Sequence, residues 1–184
     1  MTNPNRISNG EVIARKYISR TGYKFGDDTY QETAMGLLTR WTPNFSATGL
    51  TYTGTGETHP TYNSYYVKHL QMVTFIIKVN LSTVTNFGTG QFSVELPFLP
   101  LNGFASHFPA WCWVDPTQPA DELNGHIVLQ ADHLPNTKTL DLHWYQATTA
   151  APKPIIEKLF VQGDPVTLTT SSLLYINGTY ISNE

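Results

Sequence analysis

At 184 residues the chain holds one domain of ordinary size with an appendage, and 11 basic against 14 acidic residues leave a net charge of −3. That balance excludes a polyanion-binding surface built on clustered lysine and arginine; the nearest approach, Arg15-Lys16 with Arg20 and Lys24, reads as a solvated or partner-facing segment. A single cysteine, Cys112, excludes intrachain disulfides and cysteine-based zinc clusters, and no apolar run approaches the length of a membrane span.

The first 40 residues differ from the rest. They carry every arginine of the chain (Arg6, Arg15, Arg20 and Arg40) and no periodic stripe long enough to build a core. Residues 11–17 fit a strand or a short helix, 22–28 a turn-rich break, and 29–38 a short helix. Residues 1–10 lack the apolar stretch of a secretion signal, so synthesis in a cytoplasm is expected. We expect residues 1–40 to form an extended arm that gains order by gripping other subunits or a larger assembly.

From Trp41 onward the pattern is almost wholly β. Residues 40–46 and 50–53 read as strands between loops rich in Thr, Gly and Pro. Residues 62–97 read as a meander of three consecutive strands, 62–68, 72–81 and 91–96, with a reversal at His69-Leu70-Gln71 and turn chemistry over 83–90. In the last strand Phe92, Val94 and Leu96 share one face, and Pro97 ends the ladder because it has no N–H to donate. Residues 104–114 predict a strand bent at Pro109, followed by a proline loop over 115–125. A hairpin pair over 126–133 and 139–146 turns around Leu134-Pro135-Asn136, with Ile127, Leu129 and Ala131 on one face of the first strand and Leu140, Leu142 and Trp144 on one face of the second. Residues 155–161 predict a strand, 163–165 a turn, and 166–169 and 173–181 closing strands, with Asn177-Gly178 as a hairpin or bulge signal. Many short strands without intervening amphipathic helices indicate an all-β fold. An antiparallel, jelly-roll-like β-sandwich over residues 41–184 fits the strand count best.

Three stretches have a recognisable order. The first is Trp41-Thr42-Pro43-Asn44-Phe45, followed by a Gly/Thr loop. The second runs from Tyr66-Val67-Lys68-His69 into Val73-Thr74-Phe75-Ile76-Ile77-Lys78-Val79, then Phe87-Gly88-Thr89-Gly90 and Phe92-Ser93-Val94-Glu95-Leu96-Pro97. The third runs from Gly163-Asp164 to Ile176-Asn177-Gly178-Thr179-Tyr180. Together they resemble the β-sandwich domain of tailed-bacteriophage virion proteins of the tail-fibre, head-fibre and minor structural type. The chain departs from that pattern at His69-Leu70-Gln71, where the family carries a tight hairpin and a glycine. The resemblance implies a non-enzymatic virion surface protein, commonly a homotrimer, docked to capsid or tail proteins through residues 1–40. No cofactor, nucleic acid or membrane partner is expected. No coiled-coil or β-helical shaft is present in the sequence, which suits a compact head decoration, head fibre or short tail-fibre component. Ten tyrosines suit surfaces that meet other proteins.

Candidate sites are few. His126, His133 and His143 lie with Asp132 and Asp141 on the predicted hairpin. Alternation puts His126 and Asp132 on one face, with Asp141 and His143 facing away from Leu140, Leu142 and Trp144. Imidazole with carboxylate suits zinc or iron, yet no His-x-His occurs, so these read foremost as surface polar residues and no metal ligand is assigned. Trp111 and Trp113 share a face if Cys112 takes the other. With Tyr62 and Tyr65, and Trp144 as a further neighbour, they form the candidate platform for a host-surface glycan, the alternative function being a receptor- or carbohydrate-binding module. Cys112 reads as a buried small hydrophobe, with His107 the one nearby group able to activate it. No catalytic residue is assigned: no Gly-x-Ser-x-Gly turn occurs, and Asp115, Asp121, Glu122, Asp132 and Asp141 form no evident acid–base pair.

Overall fold

Period-two alternation dictates the first hairpin of this computed structural model, which describes residues 36–101, 107–114, 125–147 and 155–184 together with two short strands before them. Those two, β1 (Tyr23–Lys24) and β2 (Tyr30–Gln31), pair antiparallel with each other. Tyr30–Gln31 falls where the sequence suggests a helix; a helix there is thus corrected to a strand. Residues 11–17 lie outside the described residues. The chain divides into two compact units, Met1–Gly36 and Leu37–Glu184, and the strands after β2 all belong to the second.

β3 (Thr39–Trp41), β4 (Phe45–Ser46) and β5 (Leu50–Tyr52) come first, then β6 (Ser64–His69) and β7 (Met72–Asn80). Val73, Phe75, Ile77 and Val79 of β7 are buried while Met72 and Ile76 stand half exposed, the signature of a strand with one face on the core. β6 and β7 pair from Tyr65↔Ile76 to His69↔Met72, so only Leu70 and Gln71 form the turn. Leu70 takes a φ of 55°, filling the place where glycine would be at ease.

Beyond it come β8 (Val84–Phe87), β9 (Ser93–Glu95), β10 (His107–Val114), β11 (Gly125–His133), β12 (Thr139–Ala147), β13 (Ile155–Leu159) and β14 (Leu173–Ile181). One sheet of ten strands runs β3-β6-β7-β14-β10-β11-β12-β9-β4, with β13 also paired to β12; β5 and β8 form a separate pair. All pairings are antiparallel, and the sheet is curled into a half-barrel. The curl follows from connectivity. Nine strands laid flat would span roughly 38 Å at about 4.8 Å each, yet the outermost two, β3 and β4, are joined by residues 42–44, a reach of about 14 Å at most. The two edges must therefore come round towards each other, and Pro43 marks where the chain leaves one for the other.

Phe108, Ala110, Cys112 and Val114 of β10 face inward with Ile127, Leu129 and Ala131 of β11, Leu140, Leu142 and Trp144 of β12, and Leu174, Ile176 and Tyr180 of β14. Two aromatic groups anchor this core. Phe75, Phe108 and Tyr180 meet edge to face, with centroids 5.1 to 6.2 Å apart, and Phe45 stacks on Phe92 at 5.6 Å. Among the described residues no helix is long and apolar enough to cross a membrane.

Several sequence expectations are corrected. Residues 40–46 are not one strand but two, on opposite edges of the sheet. The meander is broken: β9 does not lie beside β7 but between β12 and β4, because β14 occupies the second edge of β7 over its whole length. Part of the supposed turn over 83–90 is β8, which pairs with β5. The true turn is at Gly88, whose φ is 69° and where an added Cβ would meet the Thr48 carbonyl. Asn177-Gly178 makes neither hairpin nor bulge; β14 passes straight through it in register with β7. Gly178 is there because the ring of Phe108 occupies the space a side chain would need. Residues 166–169 form no strand, although Val166 and Leu168 are buried; the Gln162 amide substitutes for a neighbouring strand by bonding both the N–H and the carbonyl of Leu168, each at 3.0 Å.

Candidate functional site

Four neighbouring strands bring a polar cluster together on the outer face of the sheet. Register sets His107 of β10 opposite Asp132 of β11, Asp132 opposite Asp141 of β12, and Gln130 opposite His143. β13 adds Glu157, which lies opposite Tyr145 and diagonal to His143. The Nδ1 of His107 and the Nε2 of Gln130 each stand 2.7 Å from Oδ1 of Asp132. The Nδ1 of His143 is 2.9 Å from Oε1 of Glu157. That nitrogen is shut off from solvent and has no aligned hydrogen bond. Its other ring nitrogen lies 3.1 Å from the amide nitrogen of Gln91, which also donates to the Leu142 carbonyl.

The electrostatics arise from this packing. Burial alone would raise the Asp132 carboxyl, but the hydrogen bonds from His107 and Gln130, with Glu157 and the His107 charge, hold it below the usual carboxylate range. Asp141 moves the other way, pushed up by burial and by the charge of Asp132 against the pull of His143. One ligand atom each from Asp132, His143 and Glu157 lie within 4.8 Å of one another, a donor set of one imidazole and two carboxylates. Beside it opens a shallow depression of about 560 Å³, lined by His143, Glu157, Lys158, Leu159, Val161 and Asp164.

The cluster gathers three of the five residues singled out on the hairpin, Asp132, Asp141 and His143, and leaves out two. His126 packs edge-on against Trp111, and His133 Nε2 bonds the Thr137 carbonyl within its own turn. It also enlists His107, Gln130, Gln91 and Glu157, which sequence reasoning missed. Period-two patterning reports which face a side chain takes; it is silent on which distant strand comes alongside.

The aromatic residues form two groups rather than one platform. Trp111 and Trp113 do face outward, half-buried, with Cys112 turned into the core between them. Trp111 stacks on Tyr175 of β14 with centroids 4.0 Å apart and His126 at its edge, so one ring face is already taken. Tyr62 and Tyr65 instead clasp Arg40: the guanidinium lies 4.4 Å from the Tyr62 ring centre and bonds both phenolic oxygens. Trp144 lies on the buried face and joins neither group. The Cys112 thiol is pushed up to about 12 by burial and points away from His107, which faces outward; the two form no nucleophile–base pair. The Thr61 hydroxyl lies 2.9 Å from His59 Nδ1, but it is fully buried and also 2.6 Å from the Pro43 carbonyl, which ties the loop rather than freeing a nucleophile. Residues 115–124, which include Asp115, Asp121 and Glu122, lie outside the described residues.

No family model, curated protein or solved structure matches this chain.

Proposed function

We propose that the chain is a non-enzymatic virion surface accessory, a head decoration, head fibre or short tail-fibre component. In this reading the curled sheet is a jelly-roll-like sandwich that assembles as a homotrimer, and the arm expected over residues 1–40, shortened to residues 1–36 because Thr39 and Arg40 belong to β3 of the sheet, docks on capsid or tail proteins. The observation that carries it is the outer face of the sheet. Trp111, Trp113 and Tyr175 stand there beside Ile76 and Val128, which are 53% and 79% exposed, a mixture of aromatic and aliphatic groups suited to meeting protein. The order of the three motifs that resemble phage virion proteins supports the same reading.

Two measurements test it. Light scattering on the purified full chain should give the mass of a trimer, and a monomer at all concentrations overturns the assembly. Particles lacking the protein should recover it from solution when offered the full chain and not when offered residues 37–184, the separate compact unit. Undiminished occupancy without residues 1–36 removes the docking role. A receptor- or carbohydrate-binding module is the second reading, favoured by the partly exposed ring of Trp113. Specific binding on a glycan array that Trp113→Ala abolishes, with the fold intact, would replace passive decoration by recognition.

A further inference from the structure

We propose that Asp132, His143 and Glu157 form a binding site for one first-row divalent transition metal, zinc being the probe of choice, which staples β11, β12 and β13 together across the outer face. Three neighbouring strands each present one ligand atom, and these atoms converge within 4.8 Å. Ligands of a bound zinc lie closer, since each bond is about 2.0–2.2 Å. Glu157 supplies the adjustment, because its side chain is 46% exposed whereas those of His143 and Asp132 are only 16% and 18% exposed.

Three features favour a cation over a self-satisfied polar patch. First, His143 Nδ1 is sealed from water and meets a Glu157 oxygen at 2.9 Å without an aligned hydrogen bond, a pairing of nitrogen and carboxylate that a cation would bridge. Second, the oxygen of Asp132 that accepts from His107 and Gln130 is Oδ1, which fixes the carboxylate's orientation as a supporting shell does while the same carboxylate also meets that of Glu157. Third, the described ion pairs offer Asp132 and Glu157 only imidazoles, while the nearby Lys158 leans 3.7 Å from Asp164 instead. Three carboxylates counting Asp141 thus share one small area, and a divalent cation relieves their repulsion.

The donor chemistry selects the metal. An imidazole nitrogen disfavours calcium and magnesium, which prefer all-oxygen sets, and the one thiol of the chain, Cys112, is buried on the other face. Ligation through Nδ1 requires the neutral imidazole tautomer with its hydrogen on Nε2, and Gln91 then turns its amide oxygen to accept from it. The mechanical consequence falls on β13. Among the described strands this one pairs only with β12, and four of its five residues are exposed, so its packing holds it weakly. A metal bonded to Glu157 ties it to the two strands beneath.

The test uses the full chain, stripped with chelator and titrated calorimetrically with zinc. One zinc per chain is expected. Glu157→Gln, an exposed and isosteric change that leaves the fold intact, should weaken binding at least about tenfold, and His143→Ala about a hundredfold, the order that disturbing a metal's ligand sphere produces. His126→Ala, altering another outer-face imidazole, should change it less than twofold. Zinc should also slow amide exchange in residues 155–159. Failure of the parent chain to bind zinc at millimolar concentration, or equal affinity in Glu157→Gln, overturns the site; unchanged exchange in β13 overturns the staple.

Discussion

The middle of the sheet and its β13 edge are both antiparallel ladders, yet different forces hold them. β7 and β14 pair over nine residues without a shift, and Val73, Phe75, Ile77, Val79, Leu174, Ile176 and Tyr180 are all buried beneath them. There a slip of one residue would turn every apolar side chain to solvent, so hydrophobic burial fixes the register. At the edge, β12 is shared. Its first residues pair with β9 and its last with β13, whose Ile155 and Leu159 are 70% and 51% exposed. Register here is set by backbone pairing and by side chains such as His143 and Glu157 rather than by a core. The contrast teaches that one sheet can keep stability in one place and adjustable chemistry in another.

If that division is right, truncation should cost very different amounts in the two regions. Phe75→Ala removes a fully buried ring that touches Phe108 and Tyr180, and should lower unfolding free energy by about 3–5 kcal/mol in urea titration. Ile156→Ala on β13 should cost less than about 1 kcal/mol, because much of that side chain already lies in water. Equal losses would mean that the edge carries core stability after all. Gly178→Ala probes the middle from the opposite direction, by overfilling. Its Cβ would overlap Phe108 Cδ1, part of a ring wedged between Phe75 and Tyr180 with no free end to move. A loss of about 1–3 kcal/mol is expected from the same titration, and a neutral result would show that the aromatic group repacks freely.

The two regions were also unequally legible in the sequence. The β6–β7 hairpin, the β11–β12 hairpin and the inward faces of β11 and β12 follow from local pattern alone, and all-β class with them. Burial writes itself into local pattern. What alternation cannot carry is the partner of each strand. Nothing in Ser93–Glu95 says that it leaves β7 for β12, because an alternating strand fits any half-buried slot; the choice is made by β14, far along the chain. The candidate site suffers from the same blindness. Asp132, Asp141 and His143 could be placed on one face of a hairpin, but His107 and Glu157 join them only through the β10 and β13 pairings. Ligands two apart on one strand leave a mark in sequence; donors spread across three strands leave none. Gly178 shows the converse error, a local turn signal whose cause is a ring from another strand.

A smaller effect tests how the middle ladder begins. Leu70 holds a φ of 55° in the two-residue turn that sets the β6–β7 register, and it is 69% exposed, so its side chain contributes little packing. A left-handed conformation costs a non-glycine residue roughly 1–2 kcal/mol, while glycine brings about 0.5–1 kcal/mol of extra unfolded-chain entropy. Leu70→Gly should therefore stabilise the protein by about 0.5 kcal/mol, measured as a raised urea midpoint at unchanged slope. Destabilisation would mean that Leu70 is held by contact with a partner.

The subtlest difference between middle and edge should be its dependence on pH. Asp141 faces Asp132 across the β11–β12 ladder, and burial, with that neighbouring charge, raises its carboxyl above the ordinary value. A raised value means that the folded chain holds this proton more tightly than the unfolded chain does. Ionisation at Asp141 therefore works against folding: the penalty is complete above the folded value and vanishes below the unfolded value of about 3.9. Asp141→Asn removes the charge and keeps the shape. In chelator, the variant should be more stable than the parent at pH 7 by about 0.2–1 kcal/mol, the scale of two like charges directly opposed in a ladder, and the gain should disappear by pH 3. On the outer face of the middle ladder the matching contact is neutral, Thr74 Oγ1 to Thr179 Oγ1 at 2.9 Å. Thr74→Val should accordingly shift stability by the same amount at both pH values. Were Asp141→Asn to show that flat response too, the edge would owe nothing to its charges, and its difference from the middle would be one of burial alone.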